Sequence, residues 1–158
     1  MHLIFMVFAV LLVGTVLFNL YRRTPAPSLP RSADDWGAGL KDDPRVAIAA
    51  MMYAVAAEAG PLTGAAERQI LSLLSSKVGL EPRLASQCLD GGRRMARGLD
   101  GDLTSRLHQL LAPIARKCSD KEKQDVIEML NVIAGSRAER LGPVREGLGR
   151  VASSLLHG

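Results

Sequence analysis

Few residues in this 158-residue chain are of types that do chemistry, and their spacing limits what they can do together. Of the three histidines, His2 precedes an apolar run, His157 lies at the end, and only His108 sits within a helical pattern. General acid–base work would require a carboxylate in reach, and none lies one turn from His108 on its own helix. His108 also faces away from the Leu103, Leu107, Leu111 stripe, the position of a surface residue. Cys88 and Cys118 match neither a metal cluster nor a disulfide framework. Each is in phase with apolar neighbours, as a small buried thiol in a reducing compartment would be. Gly91-Gly92 lacks the strand, loop and helix context of a phosphate loop. What remains is a basic cluster, Arg93, Arg94 and Arg97 with Arg106 beyond the next turn. It would serve an acidic partner or anionic lipid headgroups, or stand as a solvated helix face. The chain reads as a non-enzyme with no cofactor.

The element that positions all of these is the stretch Leu3 to Leu20, apolar and free of charge, closed by Tyr21, Arg22 and Arg23. At about 1.5 Å per residue it is just long enough to cross a hydrocarbon core of about 30 Å once. A cleaved signal would show a basic start, a shorter core and a small-residue cleavage site, and this stretch has none of them. Residues 1–23 are therefore read as an uncleaved single-span anchor. Arg22, Arg23 and Arg31 all lie on its C-terminal flank, so the body is expected in the cytoplasm and the N-terminus outside.

Residues 24–40 form a linker with Pro25, Pro27, Pro30, Gly37 and Gly39, in which Trp36 is the one large apolar residue, placed to dock on the domain or, as the alternative, to sit in the membrane interface. At about 3 Å per residue it could hold the body roughly 50 Å from the bilayer. Residues 41–158 suffice for one domain and leave no room for a second. Aromatic content of 4% and few β-branched residues beyond the anchor point to an all-α bundle of about six helices. The net charge of +4 is interspersed along the soluble part, which argues against a nucleic-acid face.

Asp42, Asp43 and Pro44 open a helix apolar nearly all round, from Val46 to Ala57, the expected centre of the bundle. Thr63 caps the next, with Ile70, Leu71, Leu74 and Val78 inward and Gly79 ending it. Glu81-Pro82 restarts a third with Leu84, Cys88 and Met95, in which Gly91-Gly92 suggests a kink or a close crossing. A fourth carries Leu103, Leu107, Leu110, Leu111, Ile114 and Cys118 on one side, and Pro113 should bend it. Ser119 to Glu122 reads as a capping box before a fifth helix with Val126, Ile127, Leu130 and Ile133 inward. Ser136 to Glu139 reads as a second box before a weak last helix with Leu141, Val144, Leu148, Val151 and Leu155, which must pack on the bundle or on a partner. Ala57–Leu74 and Ala115–Leu130 also repeat one pattern, a hydroxyl cap followed seven residues later by the first apolar position, Thr63 to Ile70 and Ser119 to Val126.

The segment Ala56-Ala57-Glu58-Ala59-Gly60-Pro61-Leu62-Thr63, with Glu67, Ile70 and the Val78-Gly79-Leu80 turn, resembles the TerB-like domain of tellurite-resistance proteins and of the DjlA membrane co-chaperones. The resemblance covers roughly Asp42 to the C-terminus, and a single anchor ahead of such a domain adds to it. It implies a helical bundle and, through the acids of the loop, metal binding. Glu58 and Glu67 are the residues that could carry that role here, though the family's Asp position holds Ala59 and Glu67 stands one residue late. Two displaced glutamates are few for a hard cation that takes six or more oxygens. The J domain has no counterpart, since the chain contains no His-Pro-Asp. The expectation is thus a membrane-anchored interaction module of the bacterial inner membrane, an accessory subunit or scaffold with a protein partner. The alternative is a tellurite-resistance-type protein binding a divalent metal ion. Homo-oligomerisation is left open.

Overall fold

The computed structural model describes residues 40–136 and 142–157; the proposed anchor, the linker with Trp36, Glu139 and Leu141 lie outside them. A 3-10 turn, Leu40–Asp42, leads into six helices: α1 Pro44–Glu58, α2 Gly64–Ser76, α3 Pro82–Arg97, α4 Leu103–Lys117, α5 Asp120–Gly135 and α6 Gly142–His157. Among the described residues there is no strand, and no helix there is long and apolar enough to cross a membrane.

Helix α1 begins where its sequence dictates. The Asp43 carboxylate accepts the Arg45 N–H at 2.9 Å and holds the Arg45 guanidinium at 2.6 Å, with Pro44 in the first turn. Burial raises the Asp43 pKa, but these bonds outweigh it and the carboxyl ends below its ordinary value. Every residue from Val46 to Met52 is buried, as are Ala54, Val55 and Ala56. A helix apolar on all sides must be surrounded, and α1 packs against α2, α3, α4 and α5, most extensively against α3. It is the centre of the bundle.

Gly92 explains that closest pairing. A Cβ there would lie 2.6 Å from the Ala50 nitrogen and 2.8 Å from the Ala49 carbonyl carbon, so only a glycine lets the two backbones meet. Helix α3 is helical throughout from Pro82 to Arg97, and Gly92 serves a close crossing. Its buried face consists of Ala85, Cys88, Leu89, Gly91, Gly92 and Ala96, while Leu84 and Met95 are half-buried.

The remaining starts follow from their caps. Thr63 Oγ1 accepts the Ala66 N–H at 3.3 Å, and Asp102 accepts the Ser105 N–H at 2.8 Å. Ser119 and Glu122 make the reciprocal box, with the Ser119 N–H donating to Glu122 at 2.7 Å and the Glu122 N–H to Ser119 Oγ at 3.4 Å. Helix α2 ends at Ser76, and Gly79, whose φ is +76°, turns the chain so that the Leu80 N–H reaches the Leu74 carbonyl at 3.2 Å. Helix α4 buries Leu103, Leu107, Leu110, Leu111 and Ile114 and continues through Pro113 to Lys117. Cys118 caps it half-buried instead of joining that stripe.

One expectation changes at the C-terminal side, and one open alternative is resolved. Ser136 does not open a helix: it closes α5, its hydroxyl donating to the Ile133 carbonyl at 2.8 Å. A Ser in helical conformation after a long apolar run is better placed to satisfy a free carbonyl than to begin a new turn. Helix α6 packs on this bundle, against α4 and α5, burying Val144, Leu148, Val151 and Leu155. Its weak propensity is offset by that stripe and by Gly147, where a Cβ would meet Thr104 Oγ1 at 2.7 Å.

Candidate functional site

Rotation about α3 distributes the basic cluster. With about 100° between successive residues, Gly92 faces α1, Arg93 and Arg97 fall to one side of the crossing, and Arg94, Met95 and Gly98 to the other. The four arginines therefore do not form one patch.

On the first side, Arg93 Cζ lies 5.9 Å and Arg97 Cζ 6.0 Å from the centre of the Tyr53 ring, within cation–π range. Arg97 Nε donates to the Tyr53 hydroxyl at 3.4 Å. Arg93 also pairs with Glu67 of α2 at 3.3 Å, so the cluster ties α1, α2 and α3 together. Arg106, on α4, pairs with Glu58 at the end of α1 at 2.7 Å. The Nε atoms of Arg93 and Arg106 are enclosed without a hydrogen-bond partner, so each guanidinium meets its acid through one terminal nitrogen and not as a fork.

These contacts decide how well Glu58 and Glu67 suit a metal ion. Each carboxylate already faces a guanidinium, Glu67 that of Arg93 and Glu58 that of Arg106. Among the described residues no group of three or more His, Cys, Asp or Glu is placed to hold an ion. The residues present do not fit a hard cation, which takes six or more oxygens. Spacing could not reveal this, because both pairings join residues distant in sequence.

On the second side lies an open groove of about 290 Å³, lined by Lys41, Arg94, Met95, Gly98, Leu99, Gln109, Leu110 and Pro113. Leu110 and Pro113 are buried and form its floor with the half-buried Met95 and Leu99. Its walls are held from both ends. Gln109 donates to the Asp100 carbonyl at 3.2 Å, drawing the α3–α4 loop onto α4. Asp42 is gripped by Arg116 at 2.6 Å and Lys117 at 3.0 Å, while Lys117 Nζ donates to the Asp42 carbonyl at 2.7 Å. The bond from Lys117 is the main reason the Asp42 carboxyl lies below its ordinary pKa. That clamp fixes Lys41 at the rim. Of this groove, sequence reading singled out Arg94 as a site residue; the signal for the rest was the four-residue spacing of Met95 with Leu99 and of Gln109 with Pro113.

The other reactive types are poorly poised for catalysis. His108 is exposed. Burial pushes both thiols up, Cys88 to about 11 and Cys118 to about 11, which keeps them protonated and unreactive at neutral pH. No buried polar or charged side chain occurs among the described residues.

No protein-family model, no curated protein and no solved structure matches the chain.

Proposed function

We propose that the chain is a non-catalytic, membrane-anchored interaction module. In this reading residues 1–23 are a single span of a bacterial inner membrane, and 24–40 are a spacer. The bundle is a TerB-like domain on the cytoplasmic side, acting as an accessory subunit or scaffold. The observation that carries the proposal is the α3–α4 groove: apolar on its floor, cationic at its rim, and bounded by the Gln109–Asp100 bond at one end and the Asp42 clamp at the other. A surface of that kind suits recognition of another protein. The uncharged run Leu3 to Leu20 and the basic residues after it support the anchor and its orientation.

The alternative, metal binding of the tellurite-resistance kind, would have to use Glu58 and Glu67, and both are engaged by arginines. No observation favours it.

The test is purification of the tagged full-length chain from its own membranes in mild detergent, washed at low and at high salt. A stoichiometric protein retained through both washes is the expected result. Recovery of the chain alone at both would sink the subunit reading. A C-terminal reporter active only outside the cytoplasmic membrane would overturn the orientation.

A further inference from the structure

We propose that Trp36 folds back onto the α3–α4 groove and covers its apolar floor until a partner protein displaces it. This rests on the reading of that groove as the recognition surface and names what holds it when no partner is bound.

The floor, and not the rim, selects the occupant. Arg94 at the rim is already engaged. The floor offers apolar surface, Met95 and Leu99, both half-buried, with the buried Leu110 and Pro113. At about 290 Å³ the groove has room for one bulky side chain and not for a whole helix face. An indole suits it, because it covers much apolar area with only two rotatable bonds and a methionine sulfur packs well at its edge.

Trp36 is the single tryptophan of the chain and stands five residues before Lys41, which itself lines the groove. Five residues span at most about 18 Å, so the indole cannot stray far from this surface. Gly37 and Gly39, without side chains, let the intervening chain reverse in so short a distance. The grip of Arg116 and Lys117 on Asp42 fixes the point from which that tether starts. A tether so short gives an effective concentration in the millimolar range, against which a partner has to compete.

Because Trp36 is alone, tryptophan emission of the purified full-length chain reports its surroundings, excited where Tyr21 and Tyr53 do not absorb. In neutral phosphatidylcholine vesicles it should be blue-shifted from that of N-acetyltryptophanamide. It should not change when the acyl chains carry bromine, which quenches an indole in the membrane interface. With p-benzoylphenylalanine at the exposed position 109 of the groove wall, irradiation should join positions 109 and 36, as mapped by mass spectrometry. Leu99→Asn should lower that yield about tenfold, the weight of one apolar side-chain contact, and shift the emission to the red. Val132→Asn, at an exposed apolar residue of α5 outside the groove, should change neither. Trp36→Ala should raise the amount of protein retained on the tagged chain from its own membranes.

Emission like that of the free indole, quenching by brominated lipid, or a product joining position 109 to lipid or to a second copy would overturn the proposal. So would a yield indifferent to Leu99→Asn, or co-purification unchanged or weakened in Trp36→Ala. A retained protein without the 109–36 product would refute this assignment and leave the interaction module standing. The 109–36 product with no protein ever retained would keep the indole in the groove, refute its displacement and remove the module.

Discussion

Replacing Gly92 with Ala sets two opposing effects against each other. In an ordinary helix interior Gly→Ala stabilises by about 1 kcal/mol. Here the added methyl would stand 2.6 Å from the Ala50 nitrogen, 2.8 Å from the Ala49 carbonyl carbon and 3.0 Å from the Ala49 Cβ. Carbon contacts are optimal near about 3.5 Å, so α1 and α3 would have to part by about 0.7 Å or more. The nearest obstacles are backbone atoms of the central helix and cannot swing aside as a side chain could. Overpacking of this kind costs about 1–3 kcal/mol, more where backbone must move, and should exceed the propensity gain by about 1–2 kcal/mol. For a domain near 100 residues, at roughly 5 °C per kcal/mol, that is a fall in Tm of about 5–10 °C. Gly149→Ala is the control, because a Cβ there meets nothing within 4 Å and the position is exposed within α6. It should gain about 0.5–1 kcal/mol, a rise of a few degrees. Thermal melting of the full-length variants, followed at 222 nm in one detergent, gives both values. A Gly92→Ala protein melting at or above the parent would mean that α1 and α3 do not cross here.

The capping box predicts that Ser119→Ala loses about 1 kcal/mol in urea unfolding, and a change below about 0.3 would deny the box its role. Cys88, fully buried, has its thiol raised from 9.0 to about 11, so the stability gained by keeping it neutral is complete below pH 9 and lost as pH rises through 11. The urea midpoint should accordingly fall over that window and fall less in Cys88→Ala; equal slopes would show the thiol is not the cause. Asp43 shifts the other way. Its lowered pKa means the cap of α1 stabilises above pH 4 and weakens as pH drops through the lowered value, which Asp43→Asn should blunt in acid titrations. Because Glu58 and Glu67 face arginines, millimolar Ca²⁺ or Zn²⁺ should move Tm by less than about 1 °C; a rise of several degrees would restore the metal reading.

What could be read from the chain was local. The caps at Asp43, Thr63 and Ser119 are short-range chemistry, and each appears where its side chain can reach a free N–H one turn on. The centrality of α1 was equally legible, since a helix apolar all round has no face to give to water. Ser136 shows the limit: Ser-x-x-Glu describes a start only if the backbone leaves the helix at the Ser, and here the preceding turn holds it helical. The arginine pairings and the groove were not legible for a different reason. Arg93 with Glu67 and Arg106 with Glu58 join separate helices, and their partners depend on how those helices are rotated.

That rotation traces to one residue. Gly92 forces the face of α3 that meets α1, and the helical repeat then leaves no choice for its neighbours. Arg93 and Arg97 turn toward Tyr53, and Arg93 reaches Glu67 of α2 as well. Arg94 turns the other way, to a rim it shares with Lys41 above apolar Leu99, Leu110 and Pro113. A basic run that looks uniform along the chain is thus divided by the crossing into a structural half and a half that faces the groove.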